Sequence, residues 1–350
     1  MACYHPLKAF RSNIKLTKKG KSEIVFNLKE GGKLYDEIQL PCGQCIGCRI
    51  ERSRQWSVRC VHEALMFENN CFITLTFNDS NLNRNCSLVK SDFQKFMKRL
   101  RKKFKGVEDV ITINEEGLEE VTQPIRFFHC GEYGSKLSRP HHHACLFNFD
   151  FPDRTLWDVR SGVRLYRSES LERLWSKEIK LEDVRLFPDG TTFCVAGKYY
   201  AKLGFATVGD VTVESAAYVA RYINKKVLGE RSRVHYSRID YETGEMFPIE
   251  PEYITMSRKP GIGFRWFEKF FRDVYPKDFI TIKGKKFAPP RYYDSIYDDM
   301  DKTSFREIRS RRKARADLCA DNNTPRRLHD REVVQLSKCE KLIRGYEDDC

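Results

Sequence analysis

A chain of 350 residues with 63 Lys plus Arg against 49 Asp plus Glu, and a net charge of +14, is long enough for a substantial core and favours an anionic partner, nucleic acid first. No apolar run approaches a membrane span, and Met1-Ala-Cys-Tyr-His-Pro6 lacks the apolar core of a signal peptide. A cytosolic protein is expected, its 13 Cys serving as thiols or metal ligands rather than disulfides.

Residues 1–40 carry short strand-like pieces such as Ser22 to Leu28 and a Gly31-Gly32 turn, with no evident chemistry. Cys42, Cys45 and Cys48 follow in Cys-x-x-Cys-x-x-Cys spacing, with Pro41, Gly43 and Gly47 supplying tight turns. That spacing makes them candidates for a structural zinc, with Cys3, Cys60 or His62 as the fourth ligand; free thiols in a turn that starts a helix are the alternative. From Arg49 to about Phe67 a helix is predicted, and its Arg52 and Arg54, near Trp56, are candidate contacts to a DNA backbone, a solvated helix face being the commoner use of such arginines. Cys71 to Phe77 alternates Phe72, Thr74 and Thr76 against Ile73, Leu75 and Phe77, the pattern of a sheet strand with one apolar face. Ser91 to Phe104 places Phe93, Phe96, Met97, Leu100 and Phe104 at helical spacing, a helix that should cover one sheet face. Residues 106–123 are acidic and read as a surface excursion.

Ile125 to Glu132 is strand-like, and Tyr133-Gly-Ser-Lys-Leu-Ser-Arg139 has hairpin-loop composition. The next run, Pro140-His141-His142-His143-Ala144-Cys145-Leu146-Phe147, can begin a strand just after its proline. Alternation then sets His141 and His143 on one face and sends His142 to the other, while pairing of the two strands brings Glu132 near the first two. Two imidazoles and a carboxylate leave open coordination positions, a donor set compatible with Mg, Mn, non-haem Fe or Zn. The competing interpretation is a polar surface strand that happens to carry histidines.

Glu214 to Val227 is helical in period, with Thr212 as N-cap. Ala216, Ala220, Ile223 and Val227 fall on one side; Tyr218, Arg221, Tyr222 and Lys225 fall on the other. Two phenols one turn apart, each followed three residues later by a cation, suit attack of a phenolate on a phosphodiester, since a phenol that titrates at ~10 needs a cation or an activated electrophile. Packing of the rings on a neighbouring helix is the bland alternative. Beyond Gly229 the pattern loosens: Ser257-Arg-Lys-Pro-Gly-Ile-Gly263 is a basic loop whose amides could approach phosphate, with Arg258 and Lys259 as candidate DNA contacts alongside Arg139 and Lys226. Lys302 to Arg331 is strongly basic, either adding nonspecific DNA affinity or forming a tail, and Asp321-Asn-Asn-Thr-Pro325 separates it from a last helix. The expected organisation is an N-terminal segment at 1–67, a central domain at 68–230, an accessory region at 231–300 and a basic extension at 301–350. About five strands with flanking helices predict an α+β fold built on an antiparallel sheet.

The Phe72-Ile-Thr-Leu-Thr-Phe77 strand, the Arg-Pro-His-His-His strand and the Tyr-x-x-x-Tyr-x-x-Lys helix resemble, in order, the three motifs of the HUH endonucleases. The tyrosine pair, Pro41-Cys-Gly-Gln-Cys-Ile-Gly-Cys48, Arg52-Ser-Arg-Gln-Trp56, Gly131-Glu-Tyr-Gly134 and the 257–263 loop resemble the gokushovirus-like Microviridae replication initiators. The likeness runs from about Cys42 to Gly263; His142 departs from it, at a position where that family usually has a hydrophobic or aromatic residue. It implies a central antiparallel sheet with a Mg or Mn site at Glu132, His141 and His143, and Tyr218 and Tyr222 as nucleophiles aided by Arg221 and Lys225. It also implies rolling-circle nicking and rejoining of phage origin DNA in the host bacterial cytoplasm. No phosphate-binding loop of helicase type occurs, so a host helicase and a host DNA polymerase are the expected partners. A plasmid-type initiator or transposase, a non-catalytic basic nucleic-acid-binding protein, and a two-His-one-carboxylate oxygenase or hydrolase are the alternatives.

Overall fold

The computed structural model describes residues 3–18, 20, 22–27, 35–83, 85–113, 117–134, 137–160, 162–186, 192–212, 215, 216, 219, 220, 227, 231–240 and 243–341. Two compact units divide the chain, one formed by Met1–Arg54 with Asp294–Ile343 and the other by Gln55–Tyr293 with Arg344–Cys350.

In the first unit, β1 (Leu7–Leu16), β2 (Ser22–Val25) and β3 (Tyr35–Leu40) form an antiparallel sheet in the order β2-β1-β3. The Cys turn leads into α1 (Ile46–Ala64).

The second unit is organised by a seven-stranded sheet, and every pairing in it is antiparallel. Its members in chain order are β4 (Asn70–Leu75), β7 (Arg126–Tyr133), β8 (Pro140–Phe147), β9 (Thr155–Arg160), β10 (Val163–Arg167), β13 (Ala206–Asp210) and β16 (Tyr253–Met256). Two-stranded ribbons lie between them in sequence: β5 (Val110–Ile113) with β6 (Glu119–Thr122), β11 (Ser176–Leu186) with β12 (Thr192–Lys202), and β14 (Ser237–Ile239) with β15 (Met246–Pro248); β17 (Ile280–Ile282) and β18 (Lys285–Phe287) form a fourth. The order β16-β7-β8-β4-β13-β10-β9 puts the histidine strand beside β4, near the centre.

Seven strands rather than about five is a correction with two sources. The β9–β10 hairpin carries exposed Leu156, Trp157 and Val159, which blur apolar alternation, and β16 is a four-residue strand in the stretch assigned to an accessory region. The 191–196 segment, expected to join the sheet, instead belongs to a strand that pairs with β11.

Each sheet face has its own core. On one, Ile73 and Leu75 of β4, Ala144 and Leu146 of β8 and Val208 of β13 meet α2 (Lys90–Lys103) and α3 (Glu169–Leu174). The predicted helical stripe Phe93, Phe96, Met97 and Leu100 supplies the apolar side of α2, and each side chain so buried contributes roughly 1.5–3 kcal/mol. On the other face, Phe72, Phe128, Cys130, Cys145 and Phe147 meet Cys60 near the end of α1 and the helical residues Ala216, Val219 and Ala220.

A buried ion pair ties this second face together: Arg126 of β7 binds Glu63 and donates Nη2 to the Pro260 carbonyl at 2.7 Å, while the Gly263 amide donates to Glu63 Oε2 at 2.6 Å. The expected phosphate approach of the 257–263 amides therefore fails at Gly263, whose N–H is consumed inside the fold. Gly263 adopts φ +81°, and a Cβ there would strike Tyr293 Oη.

The remaining helices are α4 (Arg231–His235), α5 (Phe264–Val274), α6 (Arg291–Met300), α7 (Lys302–Asp317) and α8 (Pro325–Glu340). The basic extension is thus largely helical between 302 and 340, Thr324 capping α8 through the Arg327 amide at 3.4 Å. Arg309, Arg311 and Lys313 are charged residues of α7 that accompany Arg312, which pairs with Asp294 at 2.7 Å.

Candidate metal centre

Antiparallel register sets Glu132 of β7 opposite His141 of β8, and Cys130 opposite His143. Glu132 Oε1 lies 2.7 Å from His141 Nε2 and 2.9 Å from His143 Nε2, and the three side chains are 1–4% exposed. Other atoms fix the far side of each ring. His141 Nδ1 is 3.1 Å from the Arg139 carbonyl, which only accepts, so Nδ1 carries the proton; His143 Nδ1 is 2.9 Å from Thr74 Oγ1 on β4. Burial pushes the Glu132 carboxyl up, but the two imidazoles outweigh it and hold the group at about 2. An anionic oxygen thus faces an Nε2 whose partner nitrogen already holds the proton, an arrangement that a cation between them satisfies. The ligand atoms lie within 4.8 Å of one another, and rings oriented by outer hydrogen bonds are what a metal site of two imidazoles and a carboxylate requires. The residues fit a divalent ion.

The two histidines open onto a cavity of about 630 Å³. Phe72, Thr74 and Arg139 line it, with Trp157, Arg160 and Phe205 also in its wall. Arg139 is anchored by Asp79 Oδ1 at 2.5 Å and by the Phe77 carbonyl at 2.9 Å. Trp157 and Arg160 lie on the β9–β10 hairpin, whose exposed apolar residues leave no periodic signal in the sequence. Arg167 stacks over Trp157 at 4.4 Å.

Ser215, at the start of the tyrosine segment, also lines this cavity. Thr212 caps that start as expected: Thr212 Oγ1 accepts the Ser215 amide at 3.1 Å, and Ser215 Oγ accepts the Thr212 amide at 2.7 Å. Ala216, Val219 and Ala220 are fully buried on the histidine face of the sheet, so the predicted small aliphatic side is the packed one, with Val219 added to it. Tyr218, Arg221, Tyr222, Lys225 and Lys226 lie outside the described residues.

The other candidates separate into those with internal partners and those facing solvent. Arg52 donates to the Gly43 carbonyl at 3.3 Å, and Arg54 to Glu51 at 2.8 Å. Arg258 and Lys259 are exposed. Cys42, Cys45 and Cys48 come together with Cys3. The other two proposed fourth ligands are elsewhere: Cys60 is in the core of the second unit, and His62 stacks on Trp266 at 3.4 Å and bonds Tyr293 Oη at 3.0 Å, burial holding it at about 3.

The family model for the replication-associated protein ORF2 matches residues 70–227, from the start of β4 to Val227. Replication-associated protein VP4 of Bdellovibrio phage phiMH2K is 30% identical over 300 residues, covering 85% of this chain and 77% of the relative. Replication-associated protein ORF2 of Spiroplasma virus 4 is 30% identical over 314 residues, covering 84% and 79%. Replication-associated protein ORF4 of Chlamydia phage 1 is 25% identical over 264 residues, covering 73% of this chain and 53% of its own length. No solved structure matches the chain. Similarity of this extent to two phage proteins, together with a family match spanning both the histidine strand and the tyrosine segment, shows that the chain belongs to the replication-associated proteins of Microviridae-like phages.

Proposed function

We propose that the protein nicks one strand of phage origin DNA and rejoins it, as an initiator of rolling-circle replication with an HUH-type site. The observation that carries this reading is the shared cavity: His141 and His143 open onto the same space that Ser215 lines, at the start of the segment bearing Tyr218 and Tyr222. Membership of a family of phage replication-associated proteins supports it.

Glu132, His141 and His143 would hold a Mg or Mn ion, which when bound supplies Lewis-acid polarisation of the scissile phosphate. One phenol, Tyr218 or Tyr222, loses its proton with help from Arg221 or Lys225 and attacks phosphorus. A Tyr–O–P bond forms, the P–O3′ bond breaks, and the departing oxygen takes a proton to become the 3′ hydroxyl that a host polymerase extends. The second tyrosine repeats the cut after one round, and the freed 3′ hydroxyl displaces the first tyrosine to close the circle.

Arg139, anchored beside the histidines, is suited to a phosphate next to the reacting one. Phe72, Trp157 and Phe205 offer stacking surfaces for unpaired bases. Arg52, Arg54, Lys226, Arg258 and Lys259 are proposed contacts to flanking DNA, Arg52 and Arg54 with part of their capacity already used internally. A host helicase exposes the single strand, and the site of action is the host bacterial cytoplasm; no described helix is long and apolar enough to cross a membrane.

The test is cleavage of 5′-labelled and 3′-labelled single-stranded origin oligonucleotides with Mn, using the unsubstituted chain, Tyr218→Phe, Tyr222→Phe and the double variant. The expected result is a covalent adduct with the downstream fragment that only the double variant fails to form. DNA bound but never joined, with every origin segment and metal tried, would leave only a binding role.

A further inference from the structure

We infer that Cys3, Cys42, Cys45 and Cys48 bind one structural zinc ion that fastens the start of the chain to the turn preceding α1. The four sulfurs lie within 4.8 Å of one another, and Cys45 Sγ is 4.0 Å from Cys3 Sγ. Zn–S bonds of about 2.3 Å in a tetrahedron set sulfur–sulfur edges of ~3.8 Å, so this cluster needs little movement to close on one ion. A disulfide, at about 2.05 Å, uses only two of the four and leaves the others crowded.

The backbone is already arranged to serve sulfur. The Cys42 amide donates to Cys3 Sγ at 3.2 Å, the Cys45 amide to Cys42 Sγ at 3.3 Å, and the Tyr4 amide to Cys45 Sγ at 3.3 Å. Donors aimed at sulfur favour the thiolate, the form a metal requires. Gly43 takes φ +76° to turn the chain between Cys42 and Cys45, and Arg52, donating to the Gly43 carbonyl, brings a cation beside a site whose four thiolates outweigh the ion's charge. Cys3 and Cys45 are buried and Cys42 and Cys48 half-buried, as in a closed structural site rather than a catalytic one with an open position.

The closing ligand is what the Cys-x-x-Cys-x-x-Cys spacing does not reveal, because the whole β1–β3 sheet separates it from the turn in sequence. Its neighbours reach further within the same unit: Arg331 of α8 stands over the Tyr4 ring at 5.9 Å, and His5 Nε2 is 2.7 Å from Glu332 Oε2. An ion on Cys3 thus secures a segment that also holds α8.

The test uses the full chain carrying His141→Ala and His143→Ala, so that zinc held elsewhere is not counted, purified under reducing conditions. One zinc per chain is expected, released when a mercurial titrates the thiols. Cobalt in its place should give tetrahedral d–d bands and strong thiolate-to-cobalt charge transfer. Adding Cys3→Ser should weaken zinc retention by about tenfold or more, Cys3→His should restore it with weaker charge transfer, and Cys319→Ser, at an exposed thiol, should leave it unchanged. Protein that retains no zinc, that holds iron instead, or whose cobalt form lacks four-thiolate absorption overturns the assignment. The cobalt spectrum decides the matter even if Cys3→Ser fails to fold.

Discussion

On one face of β8, His141 and His143 direct Nε2 toward Glu132, each with Nδ1 held by the Arg139 carbonyl or Thr74. On the other face, His142 and His129 lie 3.2 Å apart, nitrogen to nitrogen, among Phe77, Phe93 and Trp175. The residue type is the same and the burial is the same. What separates the two sets is an anionic partner and an opening to a cavity: the first set has both, whereas His142 Nε2 has no hydrogen-bond partner among the described residues. Burial, reinforced by His141 and His143, holds His142 at about 3, and burial with its imidazole neighbours keeps His129 well below its ordinary value. The lesson is that strand alternation assigns histidines to tasks before any chemistry does.

The sharpest way to break this comparison is to exchange the faces. His141→Ala with His143→Ala should lower metal-dependent nicking by roughly 10³-fold, whereas His142→Phe, which stays apolar in an aromatic shell, should change it by no more than a few-fold. The reverse result in an oligonucleotide cleavage assay would show that the faces are misassigned. The metal face also depends on its buried ion pair. Arg126→Met strands the Glu63 carboxylate and should cost about 3–5 kcal/mol in urea denaturation, with Glu63→Leu added to it recovering most of the loss. A smaller effect isolates the outer hydrogen bond: Thr74→Val keeps the shape and should weaken Mn binding about 10–100-fold by titration calorimetry, with unchanged melting of the metal-free protein.

The last prediction concerns acid. The unfolded chain protonates its histidines at ~6.5, while folded His142 resists until about 3. Below a pH of ~6.5 the unfolded state therefore holds more protons and stability falls, by about 1.4 kcal/mol per pH unit for each such histidine. Above that pH these groups contribute no slope. Glu132, depressed to about 2, adds a loss only below ~4.3, where the unfolded carboxyl protonates. Denaturation followed from neutral pH down to a pH of about 5 should show the histidine slope, and His142→Phe should reduce it.

Much of the site was legible because it is local. Glu132, His141 and His143 are fixed by period-2 alternation and one hairpin, and Thr212 and the α2 stripe by helix rules that act over a few residues. What escaped depends on distant chain. Thr74 finds His143 only through sheet pairing, Glu63 finds Arg126 and Gly263 only in the assembled core, and Cys3 meets the Cys turn across a whole sheet. The 257–263 loop misled for the same reason, since glycine next to basic residues has the same signature whether its amides serve phosphate or a buried glutamate.

The hairpin Arg126–Phe147 holds every donor of the candidate metal centre within one contiguous piece of chain. Strands β13 and β16, which extend the sheet on either side, come from residues that a ribosome delivers later. Short-range pairings close faster than long-range ones because less loop entropy is lost. Translation thus offers an ion its ligands before the tyrosine segment has been made, so the order of synthesis favours loading the centre before the nucleophiles arrive.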